Sequence, residues 1–320
     1  LGIVPLAGIL GEATDALAHR AGSRVGALLN ATFGNAAELI ITIAAIRAGL
    51  LEVVKASITG SIIGNILLVL GLSVLAGGLK HGFQRFGRRS ASVSVTMMTI
   101  AVIGLAVPAV FAQAIETRSN VGIEYLSIGV AVALMIGYVL SLIFTFTLPS
   151  EQTHGVTEDT AAPEHSRWSA QRALIVLAVS VVFIAALSEI LVAAVEPVIR
   201  ERGLTELFVG VIIVPIIGNA AEHLVAVEMA LKNKMDLALG IALGSSMQVA
   251  LFVAPLLVFI SLAAGNPMSL VFNPFELAAL VAAVLIAALI ALDGESNWLE
   301  GAQLLIVYVI LALAFFYLPV

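Results

Sequence analysis

The sequence predicts an all-α polytopic membrane protein with about ten transmembrane helices, arranged as two inverted five-helix repeats. Hydrophobic residues make up 61% of the 320-residue chain and charged residues only 11%, whereas soluble domains carry about 25% charged residues. The long apolar runs do not alternate with polar residues, so helices rather than barrel strands would satisfy the backbone in lipid. A five-residue stretch, Gly-Asn-Ala-Ala-Glu, occurs at residues 34–38 and again, 184 residues later, at 218–222.

Five predicted spans precede a polar stretch and five follow it. They cover about residues 1–10, 25–48, 56–79, 92–114 and 123–148, and then 170–195, 207–231, 237–263, 274–292 and 298–318. Because the chain starts at Leu1 inside an apolar run, we expect a truncated N-terminus. The predicted domains are a first repeat (1–148), an acidic linker (149–168) and a second repeat (169–320). Since five is odd, the second repeat enters the membrane in the opposite orientation.

Basic residues in alternate connections predict the orientation. Ten lie on one side and five on the other, and the richer side is predicted to be cytoplasmic. The first group is Arg20, Arg24, Lys80, Arg85, Arg88, Arg89, Arg167, Arg172, Lys232 and Lys234; the second is Arg47, Lys55, Arg118, Arg200 and Arg202. This places the acidic linker in the cytoplasm, either as a solvated connection or as a cation sensor.

Composition and motifs argue against several classes of function. The chain has no cysteine, so it has no disulfide and no sulfur-ligated metal. A net charge of −6 argues against a nucleic-acid partner. The phosphate loop, the H-E-x-x-H motif and the G-x-S-x-G elbow are all absent, so we expect neither an enzyme nor a cofactor. A passive channel stays open as an alternative.

Each copy of the repeated stretch ends in a glutamate. A carboxylate at the centre of a membrane helix costs roughly 2.5–3.5 kcal/mol on insertion scales, so Glu38 and Glu222 are predicted to be functional. Asn35 and Asn219 lie three residues earlier and therefore share the helix face of the glutamates. The Gly-Asn pair favours a break in each helix, and Pro215 favours a kink before the second copy.

The span after each copy supplies neutral oxygen atoms. Ser61 and Ser245 align at the same offset, Asn65 follows Ser61 by four residues, and Gln248 follows Ser245 by three. Glycines at 60 and 64, and at 240 and 244, predict close packing against the helices that carry the repeated stretch. The alternative role for all the polar side chains is hydrogen bonding between helices.

Two carboxylates with amide and hydroxyl oxygens form a hard ligand set that suits calcium. Two glutamates neutralise one divalent cation. Once the cation leaves, two desolvated carboxylates cannot both stay charged, so protons compete for the same atoms. The residues therefore predict exchange of a divalent cation for protons.

The runs at 28–38, 60–65, 218–223, 232–248 and 293–301 resemble the calcium/proton exchanger family, part of the calcium:cation antiporter superfamily. The resemblance implies alternating access, with the first and sixth helices moving against the other eight. It also implies calcium, protons and the lipid bilayer as partners, a homo-oligomer as a further option, and a multi-pass location in the plasma membrane of a prokaryote or a vacuolar-type membrane of a eukaryote. Its implied site comprises Glu38 and Glu222 as shared calcium and proton ligands, with Asn35, Asn219, Ser61, Asn65, Ser245, Gln248 and His223 around them.

Three further glutamates are candidates for an access path. Glu12 and Glu196 align at the 184-residue offset, and Glu189 lies deeper in the sixth span; interfacial charge or structural pairing is the alternative. His223, about 100° from the Glu222 face, is either a packed neutral histidine or a proton relay.

A sodium/calcium exchanger of the same superfamily is the alternative function. Such exchangers resemble this chain in fold, but they carry extra hydroxyls around the glutamate and an acidic residue in the following helix. Alanines flank Glu38 and Glu222 here, so protons are the predicted counter-ion.

Overall fold

A computed structural model describes residues 2–116, 120–147 and 168–318, and this part of the chain is almost entirely helical. The first half contains α1 (Ile3–Ala21), α2 (Ser23–Phe33), α3 (Ala36–Arg47), α4 (Leu51–Ile63), α5 (Leu70–His81), α6 (Arg88–Glu116) and α7 (Asn120–Thr147). The second half contains α8 (Ala170–Arg202), α9 (Glu206–Phe208), α10 (Val214–Gly218), α11 (Ala220–Leu231), α12 (Met235–Gln248), α13 (Ala254–Ala263), α14 (Pro274–Ile290) and α15 (Trp298–Tyr317). Two short strands, β1 (Gln84–Arg85) and β2 (Glu295–Ser296), pair antiparallel. Apart from Trp168, the predicted linker lies outside the described residues.

Six helical segments of the described chain are long and apolar enough to cross a membrane, which confirms the predicted helical membrane fold. They are Leu51–His81, Arg88–Ala112, Gly122–Thr145, Ala170–Ile199, Met235–Ala263 and Trp298–Tyr317. A seventh is added if Glu206–Gly218 and Glu222–Leu231, bent by 63°, count as one span. The other predicted spans, α1, the α2–α3 pair and the 17-residue α14, fall outside this group. The count of ten and the inverted arrangement therefore stay predictions.

Two spans are longer than predicted. The third begins at Leu51 rather than near residue 56, and the ammonium of Lys55 within it lies 2.6 Å from Glu52 Oε1. The sixth begins after Ser169, whose hydroxyl accepts the Arg172 N–H. It continues past residue 195 to Gly203, where a φ of 64° ends the helix.

Both helices that carry the repeated stretch break at its Gly-Asn pair. Asn35 separates α2 from α3 with φ −94° and ψ 16°, and Asn219 separates α10 from α11 with φ −106° and ψ 9°. These values lie in the sparsely populated bridge region rather than in the helical region. The predicted breaks are confirmed, and the two copies adopt the same backbone conformation.

The spans that follow the two breaks share a second irregularity. A π-helical segment, Gly64–Val69, joins α4 to α5, and another, Val249–Val253, joins α12 to α13. Such wide turns are frequent at functional sites. The first segment contains Asn65 and the second follows Gln248 directly, so both occur beside predicted site residues. A third segment, Val209–Ile213, joins α9 to α10.

At both ends of the bundle, side chains from the other half of the chain cap the helices that follow the breaks. At the basic end, defined by Lys80, Arg85, Arg88, Arg89, Lys232 and Lys234, the Lys80 Nζ and His81 Nε2 atoms lie 2.9 Å from the Leu231 carbonyl at the end of α11. At the opposite end, Asn266 Nδ2 donates to the Ile46 carbonyl near the end of α3. Each helix that carries a repeated glutamate is thus fixed at its C-terminus by the other half of the chain.

Candidate functional site

The two repeated glutamates occupy equivalent positions at helix N-termini. Glu38 is the third residue of α3, and Glu222 is the third residue of α11. The positive end of a helix dipole stabilises a carboxylate in its first turn, so each break offsets part of the cost of the charge. Glu38 is only 2% exposed, Glu222 is half-buried, and the two are close enough for their charges to interact.

One hydrogen-bonded chain joins the second break to the first glutamate. Asn219 Nδ2 donates to Ser61 Oγ at 3.2 Å, and the Ser61 hydroxyl donates to Glu38 Oε1. All three side chains are buried. Because Asn219 belongs to the second copy and Glu38 to the first, this chain links the two copies through α4.

A second chain has the same order of groups. Asn65 Nδ2 donates to Ser245 Oγ at 3.0 Å, and the Ser245 hydroxyl is hydrogen-bonded to the Glu222 carboxylate. Each glutamate is therefore held by a serine, and each serine accepts from an asparagine amide. The remaining amide pair links the first break to α12, because Asn35 Nδ2 donates to Gln248 Oε1 at 2.7 Å.

Three oxygens of this cluster have no hydrogen-bond donor among the described residues. They are Asn35 Oδ1, Glu38 Oε2 and Glu222 Oε2, and all three atoms are buried. The Asn35 amide nitrogen is engaged by Gln248, which leaves the oxygen of that amide for another ligand. Buried polar atoms are normally satisfied, and these hard, partly anionic oxygens can bind a divalent cation or protons.

The glycine of each copy adjoins the glutamate of the other. A Cβ added to Gly34 would lie 3.7 Å from Glu222 Oε1, and one added to Gly218 would lie 3.9 Å from the Cα and Cβ of Glu38. Both distances are ordinary van der Waals contacts, so each break lies directly against the glutamate of the other copy. Sequence reasoning missed this contact, because only the fold brings the copies together.

The helices after the breaks are packed unequally. Gly60 of α4 touches the Val209–Ile213 segment so closely that an added Cβ would lie 2.2 Å from the Val211 carbonyl oxygen. The predicted close packing is confirmed at Gly60 but is wrong at Gly64 and Gly244, where an added Cβ would meet nothing within 4 Å. Among the described residues, α2 packs mainly on α1. It does not pack on α12 as closely as the Val209–Ile213 segment packs on α4.

The other predicted residues lie apart from this network. Glu12 on α1 and Glu189 on α8 are exposed, and His223 is half-buried beside Glu222. Among the described residues, no hydrogen bond joins these three side chains to the carboxylate pair. Glu196 lies within α8, but its side chain is outside the described part of the structure.

Comparison with known proteins gives the family. The profile of the sodium/calcium exchanger protein family matches residues 1–147 and 172–317. The chain belongs to this family. Among curated members, the Ca(2+)/H(+) antiporter of Aphanothece halophytica is 46% identical over 100% of this chain and 89% of its own length. The Ca(2+)/H(+) antiporter ChaA of Bacillus subtilis is 45% identical over 99% of this chain and 90% of its own.

A solved exchanger structure agrees with this assignment. Native YfkE superposes with a TM-score of 0.84 at 43% identity, covering 99% of this chain and 90% of its own. The resemblance to calcium/proton exchangers inferred from the sequence runs is therefore confirmed. Together with the apolar helices of the described chain, membership of this family makes the protein a multi-pass membrane protein.

Proposed function

We propose that the chain is a secondary active antiporter that exchanges calcium for protons by alternating access. The observation that carries the proposal is the convergence of Glu38 and Glu222, from two separate helix breaks, on one cluster with three unpartnered oxygens. The two curated relatives, which match over nearly the whole chain, carry the name Ca(2+)/H(+) antiporter. This supports calcium as the transported cation and protons as its counter-ion.

In this proposal the serines orient the carboxylates and the free oxygens bind the cation. Ser61 and Ser245 each hold one oxygen of a glutamate, so that Glu38 Oε2 and Glu222 Oε2 face calcium together with Asn35 Oδ1. Two carboxylates balance the charge of one calcium ion. After calcium leaves, the buried pair takes up protons, because two neighbouring carboxylates without water or a cation repel each other.

Competition for the same atoms supplies the coupling. A site that holds calcium excludes protons, and a protonated site has lost the charge that attracts calcium. Coupled exchange therefore needs only a gradient of one ion and a change in which side of the membrane the site faces. Neither a cofactor nor a covalent intermediate is required.

The architecture we propose has two inverted halves, 1–148 and 169–320, joined by the linker 149–168, with the basic end in the cytoplasm. Gly240 of α12, which lies between the basic end and the site, is exposed, so we infer that the site is reached from the cytoplasm in this conformation. The exposed Glu12 would lie along that route, with Glu189 and Glu196 on the route from the opposite side. The membrane would be the plasma membrane of a prokaryote or a vacuolar-type membrane of a eukaryote.

The moving part we propose is the α1–α8 pair. These helices pack closely on each other and share a smaller apolar core with α3, which includes Ile3, Leu10, Ile184 and Val195. That core is separate from the main apolar core of the bundle. Val53 of α4, Val209 and Val214 also belong to this smaller core. We infer that α1 and α8 can slide along it without disrupting the main core.

The decisive experiment is calcium uptake into proteoliposomes under an imposed pH gradient without sodium. We expect uptake by the wild type and none by Glu38→Gln or Glu222→Gln, because either change leaves a single carboxylate against a divalent ion. Glu228→Gln is the matched control, since among the described residues the Glu228 side chain forms an exposed ion pair with Lys232 at 2.6 Å and no contact with the site. Proton-coupled calcium flux through either site variant would contradict the proposal.

The alternative function is sodium/calcium exchange, because the matching family is described as the sodium/calcium exchanger protein family. The same vesicles with equal pH on both sides and an imposed sodium gradient separate the two. Calcium uptake driven by sodium, with none driven by protons, would favour the alternative.

A further inference from the structure

A buried carboxylate lies outside the exchange site, at the end of the bundle opposite the basic end. Glu276, in the first turn of α14, is 2% exposed. Its Oε2 atom accepts the Asn273 N–H at 2.9 Å, and its Oε1 atom accepts the Thr59 hydroxyl of α4 at 2.6 Å. An ionisable group buried in a membrane bundle is costly unless it is used or paired.

Lys55, one turn before Thr59, completes this group. Its Nζ atom donates to the Val271 carbonyl at 3.0 Å, and its charge acts on Glu276. Thr59 is fully buried and Lys55 is 9% exposed. We call Lys55, Thr59 and Glu276 the α4 clamp, because they join the beginning of α4 to the segment that leads into α14.

The α4 clamp and the exchange site lie on different faces of one helix. Thr59 and Ser61 are two residues apart, about 200° around α4. On one face Thr59 donates to Glu276, and on the other Ser61 donates to Glu38 and accepts from Asn219. Gly60, between them, lies against the Val211 carbonyl with no space for a side chain. Any rotation of α4 that breaks the Thr59 bond would therefore also displace Ser61.

The equivalent positions in the second half carry no such group. The residues 184 positions from Lys55, Thr59 and Glu276 are Leu239, Leu243 and Ser92. Both leucines are buried apolar side chains of α12. The clamp is therefore specific to α4, the helix that holds Glu38.

We propose that Glu276, through Thr59, is a positioning residue for exchange: it fixes α4 so that Ser61 stays against Glu38. The inference rests on the proposed function, since the site it positions is the calcium site. According to this inference, the α4 clamp increases the affinity of the site for calcium in addition to any contribution it makes to the stability of the fold.

The test compares Thr59→Val, which replaces the hydroxyl with a methyl group, with Thr59→Ser, which keeps the hydroxyl. We expect Thr59→Val to raise the calcium concentration for half-maximal uptake about three- to tenfold. A change of this size corresponds to the loss of the net free energy of one hydrogen bond. Thr59→Ser should restore the wild-type value. Thermal unfolding of each purified variant shows whether folding has changed independently of affinity.

Glu276→Gln and Glu300→Gln form the second comparison. Both glutamates close a capping box, Asn273 with Glu276 and Asn297 with Glu300, but among the described residues only Glu276 also bonds to another helix. We expect Glu276→Gln to shift the half-maximal calcium concentration and Glu300→Gln to leave it unchanged. The double variant Thr59→Val/Glu276→Gln should be no worse than the more affected single variant, because both act through one contact.

Two results would overturn the positioning role while leaving exchange intact. One is a Thr59→Val protein with reduced thermal stability but an unchanged half-maximal calcium concentration. The other is an equal shift in Glu300→Gln. A wild-type protein without proton-driven calcium uptake would instead overturn the exchange proposal, and the positioning role with it.

Discussion

Helices α4 and α12 occupy equivalent positions in the two halves of the chain. One face of each helix can be compared residue by residue, and the two faces are buried to different extents. On α4, Val53, Ala56 and Gly60 are all buried against the segment between α9 and α10. The residues 184 positions later on α12 are Leu237, which is half-buried, Gly240, which is exposed, and Gly244, which is half-buried. One half of the chain is closed along this face, and the other half is open.

We interpret this difference in packing as conformational. Both copies of the repeated stretch break with the same backbone angles, and both glutamates are held by a serine, so the halves agree at the site itself. Beyond the site, they differ in how the preceding half-helix packs on the following span. A cycle in which the open and closed faces exchange roles would move the access route from one side to the other while the site stays assembled.

The largest expected effect comes from adding a methyl group to each face. Gly60→Ala would push a Cβ to 2.2 Å from the Val211 carbonyl oxygen, while Gly244→Ala would meet nothing within 4 Å. Overpacking of this kind typically costs about 1–3 kcal/mol. We therefore expect Gly60→Ala to lower the thermal unfolding temperature and inactivate transport. Gly244→Ala should unfold like the wild type.

Transport by Gly244→Ala then tests the exchange of roles. In the state that faces the opposite side of the membrane, we expect α2 to pack closely on α12. The methyl group of Gly244→Ala would obstruct that packing, so exchange should be slow although the protein is fully folded. Wild-type transport rates in Gly244→Ala would argue against this closure. Equal thermal destabilisation of the two variants would argue against the asymmetry itself.

Chemical labelling tests the same difference without disturbing packing at Gly60. The chain contains no cysteine, so Gly240→Cys and Ala56→Cys would each present a single thiol. A hydrophilic maleimide should label Gly240→Cys readily and leave Ala56→Cys unlabelled, because Gly240 is exposed and Ala56 is fully buried. Unfolded samples of both variants provide the control for thiol reactivity. Equal labelling of the two folded variants would contradict the proposal that the α12 face is open and the α4 face is closed.

The smallest effects should separate the two serines. Ser61→Ala and Ser245→Ala each remove the donor to one carboxylate, and each should weaken calcium binding about three- to tenfold. We expect the larger loss for Ser61→Ala, because Glu38 is 2% exposed and water cannot readily replace the lost donor. Glu222 is half-buried and more easily hydrated. The half-maximal calcium concentrations for uptake give the comparison, and a larger loss in Ser245→Ala would contradict it.

The sequence predicted the members of the hydrogen-bonded cluster because their spacing is local and repeated. Three-residue spacing put Asn35 with Glu38, and the 184-residue offset paired Glu38 with Glu222 and Ser61 with Ser245. Membrane insertion makes unpaired carboxylates costly, which is why two of them in apolar runs were informative. All the predicted neutral ligands except His223 entered the hydrogen-bonded cluster.

The connections within the site were not predictable from spacing. Asn219 could equally have bonded within its own half, and only tertiary packing brings its amide to Ser61. The same Gly-x-x-x-Gly spacing occurs on α4 and α12, so sequence could not tell the closed face from the open one. Glu276 was missed because Asn-Pro-Phe-Glu at 273–276 signals a helix cap, and its bond to Thr59 spans 217 residues.

The facing glycines have a consequence for how such a molecule can arise. Each half of the chain contributes one glutamate and one Gly-Asn break, and the glycine of each break, Gly34 or Gly218, adjoins the glutamate of the other half. A gene that encoded a single half would therefore specify both partners of this contact but could not join them within one copy. Two copies would have to meet face to face, and fusion into one chain makes that meeting obligatory and strictly one to one.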